Sequence, residues 1–208
     1  MDLVEEVIPL ADRELAVLRP RDAEALVDEH AFEEDEFLPY WAQLWPSGVA
    51  LARAVATRAL KGARVVEIGC GLGLPSIAAA RAGGRVLATD WSPTAVDLVR
   101  ANAERNGAAL EAAVVSWTDP APLLERAPFQ LVLAADVLYE RRSVPVLADL
   151  LPRLGGEVLL ADPGRPVAVP FFEGVDGKWS VTTTTRDGIE IHRFTPYAEA
   201  NGRTPPPA

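Results

Sequence analysis

The 208-residue chain is poor in the residues that build disulfides, metal sites and basic surfaces: it has one cysteine and two histidines, and only Lys61 and Lys178 are lysines. A single cysteine excludes an internal disulfide and suits a reducing compartment. Cys70 has no His or Cys beside it in the chain, so a structural role is expected for it rather than that of a nucleophile or ligand. No apolar run approaches the ~20 residues that span a bilayer. The acidic start, Met1 to Glu6, has no signal-peptide pattern, and a cytoplasmic protein is expected. The net charge is −10, and no basic stripe is visible. Nucleic acid is therefore disfavoured as a partner, and a cationic one favoured. There are no repeats and no metal-ligand cluster.

What remains is ordinary globular material, 49% hydrophobic and 24% charged, of a length that fits one domain. Residues 1–197 are expected to form it, with 1–38 as an N-terminal extension and 198–208, ending Pro205-Pro206-Pro207-Ala208, as a disordered tail. The best-defined stretch is Arg64 to Asp90. Arg64-Val65-Val66-Glu67-Ile68 reads as a buried parallel strand. Gly69-Cys70-Gly71-Leu72-Gly73 turns the chain, Pro75 marks a helix start, Gly83-Gly84 ends that helix, and Arg85 to Asp90 is a second strand. Glycines let backbone approach a ligand closely, and a carboxylate at the next strand's end can accept both hydroxyls of a ribose. A dinucleotide site wants G-x-G-x-x-G. Here the third glycine comes one residue early, and Glu67 lies two residues before the first.

Further along, Arg13 to Arg19 alternates as a strand, Arg21 to His30 reads as a helix, and Glu33 to Glu36 is an acidic run, either a solvated loop or one wall of a substrate entrance. Tyr40, Trp41 and Trp45 sit between prolines, and a helix is expected from Gly48 to Leu60, capped by Ser47. Ser92-Pro93 opens another helix that stops at Asn106-Gly107. Leu110 to Val115 is a third strand, ending in Ser116-Trp117. Phe129 to Ala135 is a fourth, delivering Asp136-Val137-Leu138-Tyr139 at its carboxyl end, where ligands sit in open α/β sheets. Ser143 to Leu154 is a helix, Glu157 to Ala161 a fifth strand, and Asp162-Pro163-Gly164-Arg165 a turn. Residues 179–185 and 189–195 flank Arg186-Asp187-Gly188 as a hairpin. His192 within it is expected at the surface or an edge.

The E-x-G-x-G-x-G string resembles motif I of the class I, seven-strand methyltransferases that use S-adenosylmethionine (SAM). P-Y-W-A-x-x-W-P-S-G, from Pro39 to Gly48, resembles the segment before motif I in their protein-lysine branch. D-x-x-Y at Asp136 to Tyr139 resembles its post-II motif. D-P-G-R is similar to a string in bacterial enzymes that methylate the electron-transfer flavoprotein β subunit. The resemblance implies an α/β, Rossmann-like, mostly parallel seven-strand sheet with a C-terminal antiparallel hairpin and helices on both faces. It implies SAM as cofactor, held by Trp45, Glu67, Gly69, Gly71, Gly73, Asp90, Trp91, Ser116, Trp117 and Ala135, with Trp41 a further candidate. Trp91 covers the adenosine or fills the core. Ser116 stands where the branch commonly has an acid that accepts from the adenine amino group.

The same resemblance implies catalysis by Asp136 and Tyr139 on a lysine of a cytoplasmic protein, with the flavoprotein subunit as first candidate partner. A monomer without metal, membrane or nucleic-acid partner is expected. Two alternatives stay open: a small-molecule N-methyltransferase on this fold, and a SAM-binding module without catalysis.

Overall fold

The computed structural model describes residues 1–11, 13–26, 39–175 and 179–196. The acidic run at 33–36, the tail at 198–208 and the last four residues of the helix expected to end at His30 lie outside these. Strands β1 (Leu3–Pro9) and β2 (Glu14–Pro20) pair antiparallel as a separate hairpin. Helix α1 (Pro46–Ala56) follows, then β3 (Arg64–Ile68), α2 (Leu74–Arg81), β4 (Arg85–Asp90), α3 (Pro93–Arg105) and β5 (Glu111–Val114). The one-turn α4 (Ala121–Leu124) precedes β6 (Leu131–Ala135), α5 (Ser143–Leu154), β7 (Glu157–Asp162), α6 (Val169–Val175), β8 (Trp179–Arg186) and β9 (Ile189–Pro196).

The main sheet has seven strands in the order β5-β4-β3-β6-β7-β9-β8. The first five are parallel, and β9 runs antiparallel between β7 and β8. This is the seven-strand methyltransferase sheet that the resemblance implies. The strands read as unbroken apolar runs because both faces are covered. Val65, Leu133, Leu159 and Ile191 face a core shared with α1, α2 and the hairpin residues Leu15 and Val17. Val66, Val132, Leu160 and Phe194 face a second core with Leu147, Leu150 and Leu154 of α5 and Phe171 of α6. The strand order switches once, between β3 and β6: the chain winds outward from β3 through β4 to β5, then the other way from β6 to β7, which leaves a crevice at the carboxyl ends of β3 and β6.

Four local expectations change. Pro46 takes the first position of α1, which makes Trp45 the capping residue and carries Ser47 inside the helix, where it is buried and its hydroxyl lacks a partner. Of the helix expected from Arg21, the described part holds only a short 3-10 turn, Glu24–Leu26. Strand β1 and helix α6 were not legible, the first because its alternation is broken by consecutive acids, the second because Pro170 and Gly174 mask its periodicity. His192 is buried, 6% exposed, because β9 is interior to the sheet. Its Nδ1 pairs with the Thr183 hydroxyl at 2.9 Å, its ring lies 4.4 Å from that of Phe172, and burial pushes its pKa down.

The β1–β2 hairpin is tied to the main body by amides. Asn102 of α3 accepts from the Leu18 N–H at 2.7 Å and donates to the carbonyls of Leu18 and Leu72, each at 3.1 Å. Asn106 accepts from the Ala16 N–H at 3.0 Å and donates to its carbonyl at 2.8 Å. These side chains satisfy a strand edge that would otherwise be open. No helix among the described residues is long and apolar enough to cross a membrane.

Candidate active site

The turn after β3 places three left-handed glycines, with φ of 62° at Gly69, 48° at Gly71 and 82° at Gly73. The requirement is steric as well as torsional. A Cβ on Gly73 would lie 2.0 Å from the Val99 side chain of α3, and one on Gly69 would lie 2.9 Å from the Trp117 ring. Glycine therefore lets α2 and α3 close on the turn and lets the indole approach it.

Beneath the turn, Glu67 is 1% exposed. It accepts from the Ser76 N–H at 2.8 Å and from the Ser76 hydroxyl, fixing the first turn of α2. Burial outweighs these bonds and pushes its pKa up from 4.5 to about 8. The Cys70 thiol is likewise buried, and desolvation, then Asp90, then Glu67, push its pKa well up, so it is an inert thiol.

Asp90 ends β4 with its two oxygens differently engaged. One accepts from the Gly71 N–H at 2.9 Å and the other from the Ser92 N–H at 3.0 Å. Burial raises its pKa, and the bonds from Ser92, Gly71 and Trp91 oppose that rise. With three backbone N–H groups on about four acceptor sites, the carboxylate keeps room for a further donor such as a ligand hydroxyl.

These groups line a cavity of about 300 Å³ at the carboxyl ends of β3, β4 and β6. Trp41, Trp45, Glu67, Gly69, Gly71, Gly73, Asp90, Trp91, Trp117, Ala135, Asp136 and Tyr139 all face it, so the structure brings together every residue of the expected set except Ser116. Ser116 is exposed, and its hydroxyl is spent on its own turn, 2.8 Å from the Thr118 hydroxyl and accepting from the Thr118 N–H. Trp91 is 42% exposed and flanks the cavity, so it does not fill the core. Trp117 is half-buried, with its ring edge against Gly69.

Asp136 follows β6 with a φ of 59°, a left-handed conformation that costs a non-glycine residue free energy. Its N–H donates to the Ala161 carbonyl at 2.9 Å, and its carboxylate contacts the Arg165 guanidinium. The strain thus turns the side chain to the cavity, and β7 and the loop after it hold it there. Tyr139 packs edge-on against Tyr40, with ring centroids 5.0 Å apart. Burial, then Glu140, push its phenol up to about 12, so it stays a neutral donor at physiological pH. The Trp45 N–H donates to the Tyr40 carbonyl at 2.8 Å, and its ring lies 6.2 Å from that of Tyr40. Three aromatic rings therefore frame the mouth on the Asp136 side.

Sequence alone assigns Tyr40 no role in the site and places Arg165 only in a turn. Arg165 enters the site because Asp162 ends β7 and folds the D-P-G-R turn on itself: its Oδ1 accepts from the Gly164 and Arg165 N–H groups at 2.7 and 2.9 Å. Among the cavity-lining residues Arg165 is the single cation, and partial burial lowers its pKa. Among the described residues, no group of three His, Cys, Asp or Glu side chains is arranged to hold a metal ion.

The architecture has counterparts. A 16S rRNA methyltransferase of T. Thermophilus, solved with AdoMet and guanosine, superposes with a TM-score of 0.66 at 17% identity, over 93% of this chain and 50% of that one. That likeness concerns the fold. In sequence, the chain is 36% identical to the electron transfer flavoprotein beta subunit lysine methyltransferase of Xenopus laevis, over 61% of this chain and 53% of that protein. It is 31% identical to a histone-arginine methyltransferase of the same animal, over 50% of this chain and 47% of that one. The chain spans about half the length of these curated relatives. A family model described as lysine methyltransferase matches residues 28–161, and the chain belongs to that family.

Proposed function

We propose that this protein is a SAM-dependent N-methyltransferase acting on a lysine side chain of a cytoplasmic protein. The observation that carries it is one cavity lined at one end by the glycine turn and Asp90 and at the other by Asp136, Tyr139 and their aromatic neighbours. SAM, when bound, supplies a methyl group on a sulfonium, which an unprotonated amine can attack in line. Asp90 would accept the ribose hydroxyls, Gly69 and Gly71 would leave backbone room, and Trp117 would offer a ring face to the base. Ala135 and Trp45 would bound the space between cofactor and acceptor.

The acceptor amine must lose a proton, since a free lysine has a pKa near ~10.4. Desolvation among Tyr40, Trp45 and Tyr139 favours that loss, and so does the Arg165 charge. Asp136 opposes it while orienting the amine, so the proton is best released to water before the nitrogen is fully enclosed. Tyr139, neutral at physiological pH, would donate through its hydroxyl or offer its ring face to a cation. The electron-transfer flavoprotein β subunit is the first candidate acceptor, from the Xenopus relative's name and the D-P-G-R string.

Labelled SAM incubated with lysate of a host strain lacking this protein should mark a protein, with mass spectrometry finding methyl groups on lysine. Methyl groups on arginine would move the acceptor to that of the histone-arginine relative. Label confined to small molecules would replace the protein acceptor, and tight SAM binding without any transfer would leave a binding module.

A further inference from the structure

An acceptor seat already filled by a cation needs a way to be vacated. Arg165 Nη1 contacts Asp136 Oδ1, and the same nitrogen lies 3.6 Å from Asp162 Oδ2. That second oxygen is buried and has no hydrogen-bond partner. An unsatisfied carboxylate oxygen at this depth is costly, and it gives a guanidinium that swings fully off Asp136 a second acceptor within reach. The backbone need not follow, because Asp162 Oδ1 already clamps the Gly164 and Arg165 N–H groups. Charge points the same way. Two buried carboxylates face one guanidinium, and one further cation would neutralise the cluster. Asp136 and Asp162 side chains are 7% and 1% exposed, whereas that of Arg165 is 27% exposed and has room to swing.

We propose that Arg165 is a resident counter-cation that cedes Asp136 to an incoming primary ammonium by shifting to Asp162, and so sets which acceptors the site admits. The idea rests on the amine-acceptor reading above and names the regulation of that same site. A neutral or weakly basic acceptor cannot displace the guanidinium. A primary ammonium can, because the displaced charge finds a waiting carboxylate. Asp162 is then a positioning residue acting through Arg165.

The test uses the full chain and n-butylammonium, titrated while tryptophan indole NMR shifts are followed. If Arg165 occupies Asp136 most of the time, removing its charge should raise probe affinity by about tenfold, the factor by which a nine-tenths occupied site is taxed. R165M should show this gain, R165Q should repeat it, and R165K should return the affinity to that of the wild type. D162N keeps the Oδ1 clamp but removes the second seat. It should weaken the probe by about fivefold in the wild type and by less than about twofold beside R165M. Unchanged or weaker binding in both R165M and R165Q would make Arg165 a fixed clamp for Asp136 and overturn the proposal, as would an equal effect of D162N in both backgrounds. Methyl transfer by the wild type is read separately, so losing the enzymatic reading and losing the counter-cation are distinct results.

Discussion

Glu67→Gln tests the buried carboxyl on which the glycine turn rests. In the folded chain its pKa is pushed up to about 8, from 4.5 in a solvated chain. At neutral pH the folded protein therefore holds a proton that the unfolded chain releases. The folded value lies above the unfolded one, so the contribution to stability is fully present below pH 4.5 and is lost as pH rises toward 8. Across the whole window the loss is on the order of 5 kcal/mol, or about 1.4 kcal/mol per pH unit in its middle. Glutamine is nearly isosteric and does not titrate, and its carbonyl oxygen can still accept from the Ser76 N–H and hydroxyl. Urea unfolding of wild type and E67Q, compared between about pH 5.5 and 7.5, should show the variant gaining on the wild type by roughly 2–3 kcal/mol at unchanged m-value. Parallel stability curves would mean that Glu67 is ionised in the folded protein and that desolvation does not dominate there.

Asp90→Ala removes the expected ribose acceptor and the partner of the Gly71 N–H, and should weaken SAM binding by on the order of 2–3 kcal/mol. Calorimetry giving wild-type affinity would sink the ribose assignment. Asp136→Asn tolerates the same left-handed backbone and removes the charge, so SAM affinity should stay near normal while methyl transfer falls by at least ~10²-fold. Wild-type turnover in that variant would make Asp136 structural. Gly73→Ala forces a Cβ to 2.0 Å from Val99 at a φ of 82°, and a loss of about 2–4 kcal/mol is expected from strain and overpacking. An unmoved urea midpoint would show that α3 can give way. If the −10 charge steers a cationic acceptor, kcat/KM should fall as salt rises, because screening shortens the field to ~8 Å at physiological ionic strength. A flat salt profile would remove steering from the account.

What the sequence by itself determined is the part governed by local rules. The five apolar runs, four of which end in glycine or aspartate, the helices opened by Pro75 and Ser92-Pro93, and the hairpin around Asp187-Gly188 follow from periodicity and turn chemistry over a few residues. The spacing of Glu67, Gly69, Gly71, Gly73 and Asp90 likewise needs no knowledge of the rest of the chain to bring those residues to adjacent strand ends. Tertiary structure decided whatever depends on contacts between distant segments. It buried His192 by inserting β9 inside the sheet, a position that alternation along one strand does not reveal. It turned the Ser116 hydroxyl into its own loop while leaving Trp117 at the cavity. It brought Arg165 onto Asp136, two residues 29 apart in the chain, because the ends of β6 and β7 lie side by side and Asp162 folds its turn inward. Local pattern selects the element, and only the packed sheet fixes which side chains meet, since that meeting is set by strand order and burial rather than by neighbours in sequence.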